Sequence, residues 1–170
     1  SFLFVEAVTA RAYGIDAGAI RWADARARIE ALRDAYAAAG YGHGHRVGLM
    51  LENRPDFIFH WFALNALGVG VVPIGPDARA AELSWLIGHS EVVLVVGLPA
   101  RLEDLKAAAR TARDGEQRKG AGSSIECRVA DGTSLQPPPR AANTAPRASM
   151  PIDASTECAL LYTSGTTGRP

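Results

Sequence analysis

Six consecutive small residues near the end of the chain are the ones best suited to chemistry. They follow a short apolar run, residues 159–162, of the kind that forms a buried strand. The six are Thr163, Ser164, Gly165, Thr166, Thr167 and Gly168. The glycines can adopt positive φ and leave backbone N–H groups open to a ligand, while the hydroxyls add donors that rotate to suit it. The pattern predicts a loop that binds a polyphosphate; an ordinary solvated turn is the alternative.

Other residue types that often do chemistry are scattered along the chain. Cys127 and Cys158 have the spacing of neither a metal site nor a disulfide framework, which favours a reducing compartment and predicts a cytoplasmic protein. We expect Cys158 to be a small buried residue, and we assign no chemistry to Asp153 or Glu157. No catalytic or metal-binding spacing relates the histidines, which are expected at the surface or hydrogen-bonded in the core: His43, His45, His60 and His89.

Composition and charge exclude several classes of function. The chain has 170 residues, 48% of them hydrophobic, which is enough for one sizeable core and indicates about one domain. Its 18 basic residues balance its 18 acidic ones, so no overall field draws it to nucleic acid or to an anionic membrane. The longest apolar runs, residues 57–67 and 92–98, are too short to span a bilayer. We expect a soluble protein that binds no nucleic acid and has no transmembrane segment.

The hydrophobic pattern predicts strands that alternate with helices. Strands are predicted at residues 19–22, 46–51, 69–74 and 91–96. Helices are predicted at residues 23–40, 56–67, 78–87 and 99–110, with Asp77 as the cap of the third. Runs of Val, Leu and Ile, rather than strict alternation, are typical of strands buried on both faces. The fold class is therefore predicted to be α/β, a mainly parallel sheet layered with helices on both faces.

Two helices are expected to bury large side chains. The first should turn one face inward, formed by Trp22, Ala25, Ile29, Leu32 and Tyr36. The second, residues 56–67, is apolar on nearly every side and should lie sandwiched, with a cluster of Phe59, Trp61 and Phe62 in the core. Residues 111–151 are rich in Gly and Pro, so we expect mobile loops on either side of one short strand at 125–130.

The string from Tyr162 to Pro170 resembles a known motif. It lacks the Gly-Lys-Ser/Thr of a Walker loop, but over nine residues it is similar to the phosphate-loop signature of the adenylate-forming superfamily, which includes acyl-CoA synthetases. Residues 20–96 are also similar in order and spacing to the N-terminal part of acyl-CoA synthetases, so the resemblance covers most of the chain. It departs at His45, where the family usually has Asp, and at Gly75, where it usually has Asn.

This resemblance implies a two-step ligase. A small carboxylic acid attacks the α-phosphorus of ATP to give an acyl-adenylate and pyrophosphate, and the thiol of coenzyme A then takes the acyl group; Mg²⁺ is implied as well. The six residues 163–168 are implied to hold the β- and γ-phosphates. We expect Tyr162 to close the strand and pack, and Arg169 to face solvent.

The resemblance also implies how the chain is organised. Residues 1–170 are expected to be a partial N-terminal AMP-binding domain that ends within the phosphate loop, without the C-terminal domain. The adenine pocket, the acidic Mg²⁺ ligand and the catalytic Lys of the family lie beyond Pro170, so we assign no catalytic residue and no metal ligand here and expect these residues alone to be inactive. Two alternatives stay open: an adenylation domain that loads a carrier protein, and a non-catalytic remnant that binds phosphate.

Overall fold

The computed structural model describes residues 1–114, 127–133, 138–141 and 150–163. A small antiparallel pair of strands, with one helix between them in the chain, precedes an alternation of helices and strands. In chain order the elements are β1 (Leu3–Val5), α1 (Ala7–Tyr13), β2 (Gly18–Ile20), α2 (Trp22–Ala38), β3 (Arg46–Met50), α3 (Pro55–Asn65), β4 (Gly70–Pro73), α4 (Ala80–Ser90), β5 (Leu94–Gly97), a 3-10 turn (Pro99–Arg101), α5 (Leu102–Asp114) and β6 (Arg128–Asp131).

A parallel sheet with the strand order β4-β3-β5-β6 forms the centre of the fold. Val47 of β3 lies opposite Val71 of β4 on one side and Leu94 of β5 on the other. The chain returns to this sheet at Ala159, which forms an isolated parallel bridge with Val71. The predicted parallel sheet is confirmed. The buried strand expected at residues 159–162 is wrong in extent, because the run meets the sheet at this single bridge and its Leu161 is 68% exposed.

Helices cover both faces of the sheet. Because alternate side chains of a strand point to opposite faces, Leu49 packs with α2 and α3 while the next residue, Met50, packs with α4 and α5. Val96 and Val95 of β5 divide between the two faces in the same way. The sheet is thus buried on both sides, which explains why its strands show apolar runs instead of an apolar and polar alternation.

The aromatic side chains near the N-terminus are less buried than predicted. Trp22 is 66% exposed and Phe62 is 50% exposed, whereas Phe59 is buried. Phe2, next to β1, packs edge-on against Trp22 with ring centroids 4.8 Å apart, and its ring centroid is 6.4 Å from that of Phe62. The prediction that Trp22 and Phe62 are core residues is wrong, because the small two-stranded β1-β2 sheet leaves both side chains exposed. Trp22 begins α2, so the strand predicted at 19–22 lies instead at Gly18–Ile20.

Helix α4 begins later than predicted, at Ala80 with Arg79 as its N-cap. The guanidinium of Arg101 donates to the carbonyl oxygens of Pro76 and Ala78, the second over 2.9 Å. These bonds hold the segment before the helix in a turn, so Asp77 does not cap it. Helix position here depends on an arginine more than twenty residues away, which local patterning does not reveal.

The Gly- and Pro-rich region is described only in part. Its one described strand, β6, begins at Arg128 within the predicted strand 125–130 and pairs in parallel with β5. Of the loops expected at 111–124 and 131–151, residues 111–114 belong instead to α5. Residues 115–124, 134–137 and 142–149 lie outside the described residues, as do residues 125–126 of the predicted strand. None of the helices in the described ranges is long and apolar enough to cross a membrane.

Candidate functional site

The segment that leads into the predicted phosphate loop is fixed to the sheet by its backbone. The N–H of Val71 donates to the carbonyl of Cys158 over 3.0 Å, and the N–H of Leu160 donates to the carbonyl of Val71 over 2.9 Å. This is the pattern of a parallel pair, so the chain runs in the direction of β4 as it approaches the loop.

Of the six predicted site residues, the structure places one. Thr163 is exposed and is the last described residue. The other five, and Arg169, lie outside the described residues: Ser164, Gly165, Thr166, Thr167 and Gly168. Their assignment to the β- and γ-phosphates therefore stays a prediction.

An ion pair anchors the start of this segment. Nε and Nη2 of Arg46 donate to the two carboxylate oxygens of Glu157, each over 2.7 Å, and Nη1 of Arg46 donates to the carbonyl of Ser90 over 3.3 Å. These hydrogen bonds lower the pKa of Glu157 and raise that of Arg46. Both side chains are partly exposed, so the pair contributes about 0.5–1 kcal/mol. Its bidentate geometry nevertheless fixes Glu157 against the first residue of β3.

Asn65, at the end of α3, holds the same segment from the other side. Its Nδ2 donates to the carbonyl of Val69 over 3.0 Å and to the carbonyl of Cys158 over 2.9 Å. One amide thus joins the end of α3, the residue before β4 and the segment before the loop. Cys158 is exposed, so the prediction of a buried filler is wrong; its backbone, rather than its thiol, makes the packing contact.

Tyr162, the residue before the predicted loop, contacts α4. Its hydroxyl is hydrogen-bonded to Nδ1 of His89 over 2.8 Å, and its ring packs edge-on against Trp85 with centroids 5.6 Å apart. Partial burial raises the pKa of Tyr162, which therefore remains protonated at neutral pH. The prediction that Tyr162 packs is confirmed.

A cavity of about 100 Å³ lies between α2, α3 and the ends of β5 and β6. The polar side chains in its wall are paired with neighbours: Arg28 donates to Asp56 over 3.1 Å, and Oδ1 of Asp131 accepts from the backbone and hydroxyl of Thr133 over 2.8 Å. Within the described ranges, no group of three His, Cys, Asp or Glu side chains is placed to hold a metal ion. The cavity wall is therefore built by contacts that stabilise the fold.

Sequence reasoning missed two residues that position the segment before the loop. Glu157 was assigned no role, and His89 was expected at the surface or hydrogen-bonded in the core, with no role near the predicted loop. Their partners lie 111 and 73 positions away in the chain, so no local pattern could have marked them. For Glu157, the only signal in the sequence is that it lies a few residues before the predicted loop. The sequence offers no comparable signal for His89.

A model of the AMP-binding enzyme family matches residues 6–170, which includes both the parallel sheet and the loop. The chain therefore belongs to the AMP-binding enzyme family, as its resemblance to adenylate-forming enzymes implies. It is 29% identical over 150 residues to the crotonobetaine/carnitine–CoA ligase of Salmonella paratyphi A, covering 88% of this chain and 29% of that ligase. The chain thus spans less than a third of the length of this curated relative.

Solved structures show the same fold. The inhibitor-bound N-terminal domain of FACL13 from Mycobacterium tuberculosis matches with a TM-score of 0.66 and 23% identity, over 89% of this chain and 36% of that one. The o-succinylbenzoate CoA synthetase MenE from Bacillus subtilis, solved with the acyl-adenylate intermediate OSB-AMP, matches with a TM-score of 0.59 and 20% identity, over 89% of this chain and 34% of that one.

Proposed function

We propose that this chain is the N-terminal part of an AMP-forming acid–thiol ligase that activates a small carboxylic acid with ATP and transfers it to coenzyme A. The observation that carries the proposal is the family match, which runs from residue 6 through the Thr, Ser and Gly string at 163–168. The described anchors of the preceding segment support it, because a loop that binds phosphate needs a fixed point of attachment.

The chemistry of the proposed reaction explains what the loop contributes. In the first step a carboxylate oxygen forms a bond to the α-phosphorus of ATP while the bond from that phosphorus to the bridging oxygen breaks, and pyrophosphate leaves. In the second step a thiolate attacks the acyl carbon and AMP leaves. Hydroxyl and backbone N–H donors of residues 163–168 would hold the β- and γ-phosphates, which stabilises the charge that builds on the leaving pyrophosphate.

The cofactor proposals come from the family. Mg²⁺ would neutralise phosphate charge. From the family resemblance we propose that its acidic ligand lies beyond Pro170. The name of the relative, a CoA ligase, supports coenzyme A as the thiol in preference to a carrier protein. The spacing of Cys127 and Cys158, which fits no disulfide framework, supports a cytoplasmic location.

Isotope exchange between pyrophosphate and ATP tests the proposal. The full-length protein should catalyse this exchange when one of a panel of carboxylic acids is present, and the double substitution Thr166→Ala/Thr167→Ala should lower the rate at least about tenfold, because two donors to the leaving group are removed. Ser155→Ala is the matched control, since it removes an exposed hydroxyl before the loop. A wild-type protein that shows no exchange with any acid contradicts the proposed function; an unchanged rate in the double variant contradicts the role of the loop.

A further inference from the structure

Three rings meet at the point where the predicted phosphate loop begins. Trp85 and His89 lie one turn apart on α4, and their rings stack with centroids 4.6 Å apart and planes inclined by 18°. The ring of Tyr162 stands edge-on to both, at 80° to Trp85 and 75° to His89. We call this group the aromatic clamp; edge-on aromatic contacts of this kind are worth more than the area they bury.

The clamp holds Tyr162, which lies beyond the last residue of this segment that pairs with β4. In the part of the chain that the structure describes, the last backbone hydrogen bond of this segment comes from Leu160. Beyond it, the described contact of Tyr162 is made by its side chain, whose hydroxyl lies 2.8 Å from Nδ1 of His89. The orientation of the chain at Thr163 therefore depends on a side-chain contact with α4.

We propose that Trp85 and His89 are positioning residues that hold Tyr162 and thereby set where the phosphate loop leaves the sheet. The proposal rests on the proposed function, since it concerns how the β- and γ-phosphates of ATP are gripped. Neither residue touches the nucleotide in this account. Their effect reaches the phosphates only through Tyr162 and the residue that follows it.

The expected kinetic signature is selective for ATP. His89→Ala and Tyr162→Phe each remove the hydrogen bond, so each should raise the KM for ATP in the exchange reaction about two- to tenfold, the cost of one such bond. The KM for the carboxylic acid should stay within about twofold of wild type, because the proposal gives the clamp an effect on the phosphates of ATP alone. The effects of the two substitutions should be less than additive in the double variant, since each single substitution already removes the hydrogen bond that they share.

A conservative variant separates positioning from simple packing. His89→Asn keeps a short side chain that hydrogen-bonds at about the position of Nδ1, and it should restore most of the ATP affinity that His89→Ala loses. His89→Leu keeps the bulk against Trp85 without the hydrogen bond and should behave like His89→Ala. If Leu rescues and Asn does not, the hydrogen bond contributes nothing to positioning, and the role proposed for His89 is overturned.

A measurement without substrate keeps this test independent of the proposed function. Hydrogen exchange of the full-length protein without ATP should show faster exchange in the peptide that contains residues 159–163 for His89→Ala, and wild-type exchange for His89→Asn. If the wild-type protein catalyses no pyrophosphate–ATP exchange, the proposed function fails, and the clamp proposal is then tested by amide hydrogen exchange alone. If it does catalyse it, and His89→Ala changes neither the KM for ATP nor the hydrogen exchange, the clamp proposal fails and the function stands.

Discussion

Tyr36 and His60 form a buried hydrogen-bonded pair between α2 and α3. The hydroxyl of Tyr36 lies 2.6 Å from Nδ1 of His60, and Nε2 of His60 lies 2.9 Å from the carbonyl oxygen of Gly132. A carbonyl only accepts, so Nε2 carries the proton; burial lowers the pKa of His60, so Nδ1 is unprotonated and accepts from Tyr36. This single tautomer connects two helices to the end of β6.

At this scale the prediction concerns one hydroxyl. Tyr36→Phe should lower the free energy of unfolding by about 1–2 kcal/mol, because it leaves the buried Nδ1 of His60 without a donor. Urea unfolding of the full-length protein measures the loss. Tyr13→Phe, which removes a hydroxyl from the partly exposed α1, is the control. If both variants lost the same free energy of unfolding, the buried hydrogen bond between Tyr36 and His60 would make no contribution beyond that of an exposed hydroxyl.

Three elements, β3, α3 and α4, together hold the segment before the predicted loop, residues 157–162. Arg46 grips Glu157 at the start of β3, and Asn65 grips the backbone of Cys158 from the end of α3. Gly70, the first residue of β4, lies directly under the Glu157 carboxylate, and a Cβ on Gly70 would collide with it. The absence of a side chain there leaves room for the ion pair.

This close approach predicts an effect of Gly70→Ala. The added methyl should push the Glu157 carboxylate away from Arg46 and destabilise the protein by about 1 kcal/mol, the value of a partly exposed bidentate pair. In a Glu157→Ala background the same substitution should cost less, since the obstacle is gone. Thermal unfolding of the wild type, the two single variants and the double variant gives the comparison. Gly75→Ala is the control, because its Cβ would meet open space. An equal cost in both backgrounds would contradict the contact.

For the molecule as a whole, burial and pairing set how stability depends on pH. His60 has a lowered pKa in the folded protein, so below its ordinary value of 6.5 the unfolded chain binds more protons and stability falls as the pH falls. Glu157 and Asp153 also have lowered pKa values, and their contributions, present above their ordinary values of 4.5 and 3.8, are lost at still lower pH.

A substitution of His60 separates its contribution to the pH dependence of stability from those of the carboxylates. His60→Gln should be less stable than wild type at pH 7.5 but should lose less further stability between pH 7.5 and pH 5.5, because the buried titrating ring is gone. Urea midpoints at the two pH values measure both quantities. The other three histidines are present in both proteins and cancel in the difference. Parallel curves for the two proteins would show that His60 does not titrate across this range.

The sequence predicted the architecture well where the signal is local. Apolar runs identified β3, β4 and β5, whereas the buried strand expected at residues 159–162 is only a bridge at Ala159. The starting residue of α4 was wrong because Arg101 holds the preceding turn. The exposure of Trp22 and Phe62 was missed because helical periodicity shows which residues share a face but not what covers that face.

By itself, the sequence determined the α/β class and predicted phosphate contacts for Thr163 to Gly168, because both depend on residue types within a few positions of each other. Only the tertiary structure decided what holds the segment that leads to them, residues 157–162. Glu157 meets Arg46 and Tyr162 meets His89 across 111 and 73 positions of chain. Such pairs form only after the sheet brings distant segments together, so the neighbouring sequence of each residue does not indicate the contact.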